Sequence, residues 1–361
     1  MIELRGVTKR YAGRAVVDDL TLTVPDGGIT ALIGPSGCGK TTTLEMMNGL
    51  VQPDAGTIRV GDAVVGESDL IALRRRMGYV IQEGGLFPHY TVFENVATVP
   101  RLLGWPEARV ADRVREMMAL VNLPETRLDA VPAALSGGQR QRVGVARALA
   151  ANPDYLLMDE PFSALDPVNR GRLREEFRRI QARLGKTVVL VTHDLDEALF
   201  LADTLAVMGE GRLHQVDDPL TILRNPADAF VRGFLGDDPA LRALLLGTIS
   251  DLAASKKRAL PVVRTNQSSD AVARILRENG AEMAFVTIPE GVFAGLVRAT
   301  DLDGHAGQLP VLRDVPTLSP SDSLRTALSR FLESGLDCLP VIDDNGLAGQ
   351  VHWTDIQSHY R

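Results

Sequence analysis

Residues 34–41, Gly-Pro-Ser-Gly-Cys-Gly-Lys-Thr, leave the chain little freedom in what it can become. They follow an apolar run, Ile29 to Ile33, and a helical pattern resumes at Thr41, so the order is strand, tight loop, helix. G-x-x-x-x-G-K-[ST] in that setting is a cradle for phosphate. Glycines let backbone N–H groups turn inward around phosphate oxygens, and the next helix points its positive end at the same place. Lys40 adds a mobile charge for β- and γ-phosphates. Thr41 offers a hydroxyl to Mg²⁺, a hard cation that takes oxygen ligands. Away from such a strand and helix the same residues would be a glycine turn beside a surface lysine.

A second apolar run, Tyr155-Leu-Leu-Met, ends in Asp159-Glu160. At the carboxyl edge of a parallel sheet these side chains emerge beside the phosphate loop. One carboxylate there suits a magnesium shell, and its neighbour suits the attacking water, so Asp159 is assigned to the metal and Glu160 to the general base. Taken alone, two acids after a strand read equally well as helix caps.

At 361 residues the chain exceeds one ordinary core. Hydrophobic residues at 45% and charged residues at 24% are the balance of a globular protein. A net charge of −7 leaves no basic excess for a nucleic-acid footprint, so nucleic acid is not expected as a partner. The two cysteines, Cys38 and Cys338, form no disulfide framework and suit a reducing compartment. Met1 to Lys9 alternates like a strand and lacks the apolar core of a signal peptide; no apolar run reaches the roughly 18 residues of a spanning helix. Any membrane role is therefore expected through partners.

Residues 1–236 alternate β-branched runs with amphipathic stretches, an α/β domain in which Ile29 to Ile33, Tyr155 to Met158 and Thr187 to Val191 are the buried strands. Gly236-Asp-Asp-Pro239 marks a boundary. Beyond it lies a repeat with an offset of 54: Gly295-Leu-Val-Arg-Ala-Thr-Asp301 matches Gly349-Gln-Val-His-Trp-Thr-Asp355. Each copy, 247–304 and 305–361, reads helix, strand, strand, helix. The sequence does not place a leading strand in the first copy. In the second, Leu324, Ala327, Leu328, Phe331 and Leu332 fall on one helical face.

Leu135-Ser136-Gly137-Gly138-Gln139, followed by Arg140-Gln-Arg142, is a further glycine turn before a helix, again an anion nest. With the phosphate loop and the paired acids it makes residues 1–236 resemble an ABC-transporter nucleotide-binding domain over its full length. That resemblance implies a RecA-like core, an antiparallel β subdomain and an α-helical subdomain, with ATP and Mg²⁺ as ligands. It also implies roles for residues that are weak signals alone: Tyr11 stacking on adenine, Gln82 as the Q-loop residue near water and metal, Ser163-Ala-Leu-Asp166 as the D-loop, and His193 as the switch histidine. Alone, these read as strand packing, a surface amide or a core histidine. The implied nucleotide set is Tyr11, Gly34, Pro35, Ser36, Gly37, Cys38, Gly39, Lys40, Thr41, Thr42, Ser136, Gly137, Gly138, Gln139 and Asp166. Glu160, Gln82 and His193 are the catalytic set, and Thr41, Gln82 and Asp159 the metal set. The Ser136 nest is expected to face the γ-phosphate held by a second copy, so the chain works as a homodimer.

The stretch from Gly78-Tyr-Val-Ile-Gln82 through Phe87-Pro-His to Val99-Pro is similar to ATPase subunits of glycine betaine, carnitine and choline importers. The C-terminal repeat resembles a tandem CBS pair, an α+β appendage of such importers. Implied partners are integral membrane permease subunits, docked at Glu83, Leu86 and Phe87, and indirectly an extracytoplasmic solute-binding protein. The alternative for Leu86 and Phe87 is that they tuck into the helical subdomain. Asp301 and Asp355 sit where a CBS acid holds ribose, but Arg298 and His352 replace its usual hydroxyls. A nucleotide, an ionic signal or mere dimerisation all stay open for the pair. Lys256-Lys257-Arg258 reads as a lipid contact or a solvated face. The implied function is ATP hydrolysis at the cytoplasmic face of the membrane, energising import of a quaternary-amine solute. The alternatives are another small cargo, or a soluble ABC ATPase that the acidic balance disfavours.

Overall fold

A computed structural model describes residues 1–81, 85–163, 167–252, 259–302 and 309–360. The chain divides into two units, residues 1–237 and 238–361. In the first unit come β1 (Ile2–Tyr11), β2 (Arg14–Val24), β3 (Ile29–Ile33), α1 (Lys40–Met47), β4 (Ala55–Val60), β5 (Ala63–Val64), α2 (Leu70–Arg75) and β6 (Met77–Val80). Three helices follow: α3 (Val92–Leu102), α4 (Glu107–Leu120) and α5 (Gly137–Leu149). Strand and helix then alternate through β7 (Tyr155–Asp159), α6 (Pro167–Leu184), β8 (Thr187–Thr192), α7 (Leu195–Leu201) and β9 (Thr204–Gly209). The unit closes with β10 (Arg212–Asp217), α8 (Pro219–Arg224) and α9 (Ala229–Leu235).

One sheet has the order β10-β9-β3-β8-β7-β6, parallel except for β10 at its edge. Every residue of β3, β7 and β8 is buried, which is why these strands read as unbroken apolar runs instead of alternations. The parallel register places the carboxyl ends of β3, β7 and β8 side by side, so the loops after Ile33, Asp159 and Thr192 open on one edge. A second, antiparallel sheet runs β2-β1-β4-β5. Its alternating inward residues, Ile2, Leu4, Val7, Leu20, Leu22 and Val24, share a core with Leu32, Val189 and Met208 of the parallel sheet. The α/β core, antiparallel subdomain and helical subdomain expected from sequence are thus present.

In the second unit α10 (Pro239–Ala243) precedes β11 (Val262–Arg264), α11 (Ser269–Asn279), β12 (Met283–Thr287) and β13 (Phe293–Arg298). The later copy comprises α12 (Leu324–Ser334), β14 (Cys338–Asp343), β15 (Gly346–His352) and α13 (Trp353–Tyr360). Both α11 and α12 start at a serine cap and end at a left-handed glycine, Gly280 or Gly335, and each copy then forms an antiparallel strand pair. Three differences from the sequence reading stand out. The leading strand of the first copy exists: β11 lies parallel to β12. Where the second copy has helix α13, the described residues of the first show a 3-10 turn, Ala299–Asp301. Leu332 is 71% exposed while Leu324, Ala327 and Phe331 are buried, because the buried stripe is narrower than the apolar pattern.

Candidate nucleotide site

The phosphate loop is held by contacts that no side chain could share. A Cβ on Gly34 (φ 152°) would lie 2.0 Å from the Met208 carbonyl oxygen, and one on Gly39 (φ 99°) 2.5 Å from that of Val16. Gly37 (φ 79°) has open space but a left-handed backbone. Pro35, Ser36 and Gly37 form the exposed rim, Cys38 and Gly39 are buried, and Thr42 is half-buried. Lys40 is only 6% exposed, and its Nζ donates to the carbonyls of Gly34 (2.8 Å) and Pro35 (2.9 Å), folded back along the loop. The cap of α1 is Gly39, which has no side chain to accept from the first-turn N–H groups. Those donors point toward the loop's concavity.

Thr41 Oγ1 donates to Asp159 Oδ1 at 3.2 Å, joining the loop to the end of β7. Burial pushes the Asp159 carboxyl above the usual range; the Thr41 hydrogen bond opposes this, while Glu160 and Glu45 add to it. Glu160 follows in the left-handed region (φ 43°), its N–H donating to the Val191 carbonyl at 2.9 Å. A non-glycine residue there carries strain of about 1 kcal/mol or more, of the kind found at active sites. The turn aims the Glu160 carboxylate at the loop after β8, where His193 Nδ1 lies 2.9 Å from Oε1. Facing a carboxylate, Nδ1 is the donor of this contact, and the ring is half exposed. Loop, acids and histidine are therefore gathered on the same sheet edge.

Ser136 caps α5 in a capping box: its Oγ accepts from Gln139 N (3.3 Å) and Gln139 Oε1 accepts from Ser136 N (3.0 Å). Gly137 and Gly138 form the first turn, partly exposed. Tyr11 ends β1 with its ring 48% exposed and Lys9 Nζ 5.5 Å from its centroid. Gln82, Glu83, Asp166 and the Lys256–Arg258 run lie outside the described residues.

Sequence reasoning missed three buried polar residues. Asn95, fully buried on α3, grips the loop before it: Nδ2 donates to Phe87 O, Tyr90 O and Thr91 O, and Oδ1 accepts from Phe87 N. Arg147 on α5 is 9% exposed. Glu197 on α7, four residues past His193, is 2% exposed with Oε1 unpartnered, and burial pushes its carboxyl up to about 8. Lone polar letters inside helical patterns carried no signal of this, because their partners are distant in sequence.

A strand-edge phosphate loop with paired acids and a switch histidine defines a phosphate-loop ATPase. The family profile described as ABC transporter matches residues 17–163, and the CBS domain profile matches residues 306–361. The carnitine transport ATP-binding protein OpuCA of Listeria monocytogenes is 40% identical over 358 residues, 97% of this chain and 90% of that one. The glycine betaine/carnitine/choline transport ATP-binding protein OpuCA of Bacillus subtilis (strain 168) is 40% identical, over 97% and 94%. The glycine betaine uptake system ATP-binding protein YehX of Escherichia coli (strain K12) is 42% identical, over 99% of each. Among solved structures, the ATP-binding cassette MJ0796 in a dimeric post-hydrolysis state with ADP and Pi is similar at TM-score 0.56 and 31% identity. It covers 60% of this chain and 98% of its own. The chain belongs to the ABC transporter ATP-binding proteins, and its activity is ATP hydrolysis coupled to transport.

Proposed function

We propose that two copies of this chain close on two ATP molecules, each phosphate loop facing the other copy's Ser136–Gln139 turn, and so drive a permease that imports a quaternary-amine osmolyte. The observation that carries this reading is the unequal state of two helix ends: α1 starts without a side-chain cap, whereas α5 starts with a reciprocal cap in which Gln139 N donates to Ser136 Oγ and Ser136 N donates to Gln139 Oε1. The loop N–H groups and Lys40 hold the phosphates. Glu160 takes the proton of the attacking water, and His193, held beside Glu160, contacts the γ-phosphate and helps place that water. Thr41 and Asp159 fit Mg²⁺, being adjoining oxygen donors with a buried carboxylate whose charge lacks compensation. When bound, the ion neutralises phosphate charge. Gln82 joins the water and metal set, Tyr11 stacks on adenine, and Asp166 borders the shared interface.

The apolar surface after Gln82 is the permease dock: Leu86 is half-buried, while Phe87 and Tyr90 are exposed with ring centroids 5.2 Å apart. No helix among the described residues is long and apolar enough to cross a membrane, which agrees with attachment to the cytoplasmic face through the permease. A solute-binding protein on the far side is reached only through it. Residues 247–304, repeating the α12-β14-β15 order as α11-β12-β13, are read as the first member of a CBS pair. The quaternary-amine cargo rests on relatives that match along nearly the whole chain.

Glu160→Gln should cut turnover by about 10² to 10⁴ while an ATP-loaded dimer accumulates in size-exclusion runs. Normal hydrolysis would end the general-base assignment, and a monomeric ATP-loaded variant would end the sandwich. Labelled glycine betaine, carnitine and choline, offered to cells that depend on this chain for uptake, test the cargo; failure of all three leaves another small solute.

A further inference from the structure

We infer that Arg147 is a positioning residue that makes the Phe87 loop move with α5, linking the nucleotide sandwich to the permease dock. The inference rests on the docking role proposed for that loop.

Arg147 lies ten residues beyond Gly137 on one continuous helix, about 15 Å along its axis. Its Nη1 donates to Gly85 O at 2.8 Å, and its guanidinium carbon sits 5.6 Å from the centroid of the Phe87 ring. One planar group therefore holds the loop twice, by a charge-assisted hydrogen bond to backbone and by a flat face over an aromatic ring. Burying a guanidinium is costly, and burial alone pulls its pKa down from the ordinary value. That cost marks the contact as more than surface chemistry. From the opposite side Asn95 clamps Phe87, Tyr90 and Thr91 to α3. With Gly85 and Phe87 gripped by α5 and the following turn gripped by α3, the loop has little independent freedom. A shift of α5, whose N-terminal turn is the one that meets ATP in the sandwich, reaches the exposed Phe87 face through Arg147.

Lysine at this position keeps the charge but loses the fork and the flat face. Methionine keeps much of the volume and loses both.

The experiment compares ATPase activity of the isolated chain with that of the chain assembled with its permease in nanodiscs. Arg147→Met should leave basal kcat and the ATP KM of the isolated chain within about twofold, and lower permease-stimulated turnover and transport tenfold or more; Arg147→Lys should recover part of the loss. Wild-type transport by Arg147→Met overturns the inference, and so does an equal loss in the isolated chain, which would place the residue's role in the nucleotide site or the fold. If Arg147→Met shows no cooperative thermal transition, Arg147→Lys decides: a folded lysine variant with the wild-type ratio of stimulated to basal activity overturns it. Phe87→Ala separates the two ideas. Normal transport by Phe87→Ala removes the docking reading and this inference with it, whereas uncoupling by Phe87→Ala beside normal coupling in Arg147→Met removes this inference alone.

Discussion

Two glycine-rich turns in this molecule each open a helix, and they begin it in opposite ways. At Gly34–Thr41 the helix cap is a left-handed glycine, the lysine is folded onto its own loop, and the adjoining Asp159 is buried with its charge poorly offset. At Ser136–Gln139 the serine hydroxyl and the glutamine side chain satisfy the turn reciprocally. The first turn is held in a binding shape by the rest of the fold and awaits its ligand. The second has a side-chain cap closed within itself. Under the proposed sandwich a single copy loads ATP at the first turn, and the second turn takes part only when two copies close.

Several variants would break or sharpen this contrast. The largest effect belongs to Lys40→Ala, which removes a charge from the preformed turn and should weaken ATP binding to the isolated chain by about a hundredfold in a fluorescent-nucleotide titration. An unchanged affinity would deny that the first turn alone does the loading.

Asp159 and Glu197 probe the cost of carboxyls buried near the site. Both have folded pKa values raised by burial, so the folded chain holds these protons more tightly than the unfolded one, and stability falls as pH rises through the raised value. For Glu197, faced by Asp194, Arg170, Arg174 and the Thr192 hydroxyl, the window runs from 4.5 to about 8. Glu197→Gln should therefore melt several degrees above wild type at pH 8, with the gain shrinking toward pH 4.5. A gain that is flat with pH would mean the carboxyl is not the cause. Asp159→Asn should likewise stabilise the nucleotide-free chain at neutral pH while abolishing magnesium-dependent turnover, as expected where function is placed against stability.

The smallest effect is Ser136→Ala. Losing one cap should cost about 1 kcal/mol, roughly 2–4 °C in a unit of this size, and leave ATP affinity of the single copy intact while weakening the ATP-dependent dimer. A loss of ATP affinity in the single copy would erase the distinction between the turns.

Much of this arrangement was legible in the sequence, for identifiable reasons. Strands buried on both faces appear as unbroken apolar runs, so β3, β7 and β8 were readable, and their parallel order implied a shared edge for Lys40, Asp159 and Glu160, whereas His193 was marked only by the family resemblance. The left-handed backbone of Glu160 was not, because no residue preference marks it. Nor were Asn95, Arg147 and Glu197, whose meaning depends on burial by distant segments. β11 escaped notice since three residues carry too little alternation to register. Leu332 was misplaced because a helix can be apolar over a wider arc than its neighbours cover.

The positions of Gly34 and Gly39 also limit how this enzyme can be altered. Their would-be side chains run first into the main chain at Met208 and Val16, so trimming the neighbouring Cys38 or Val17 side chain would not make room. Compensating substitutions therefore have nothing to act on, and the cradle passes to descendants or to an engineer's library as one indivisible piece. If Tyr11 stacks on adenine as proposed, retuning which nucleotide is preferred begins outside the cradle, at that exposed position.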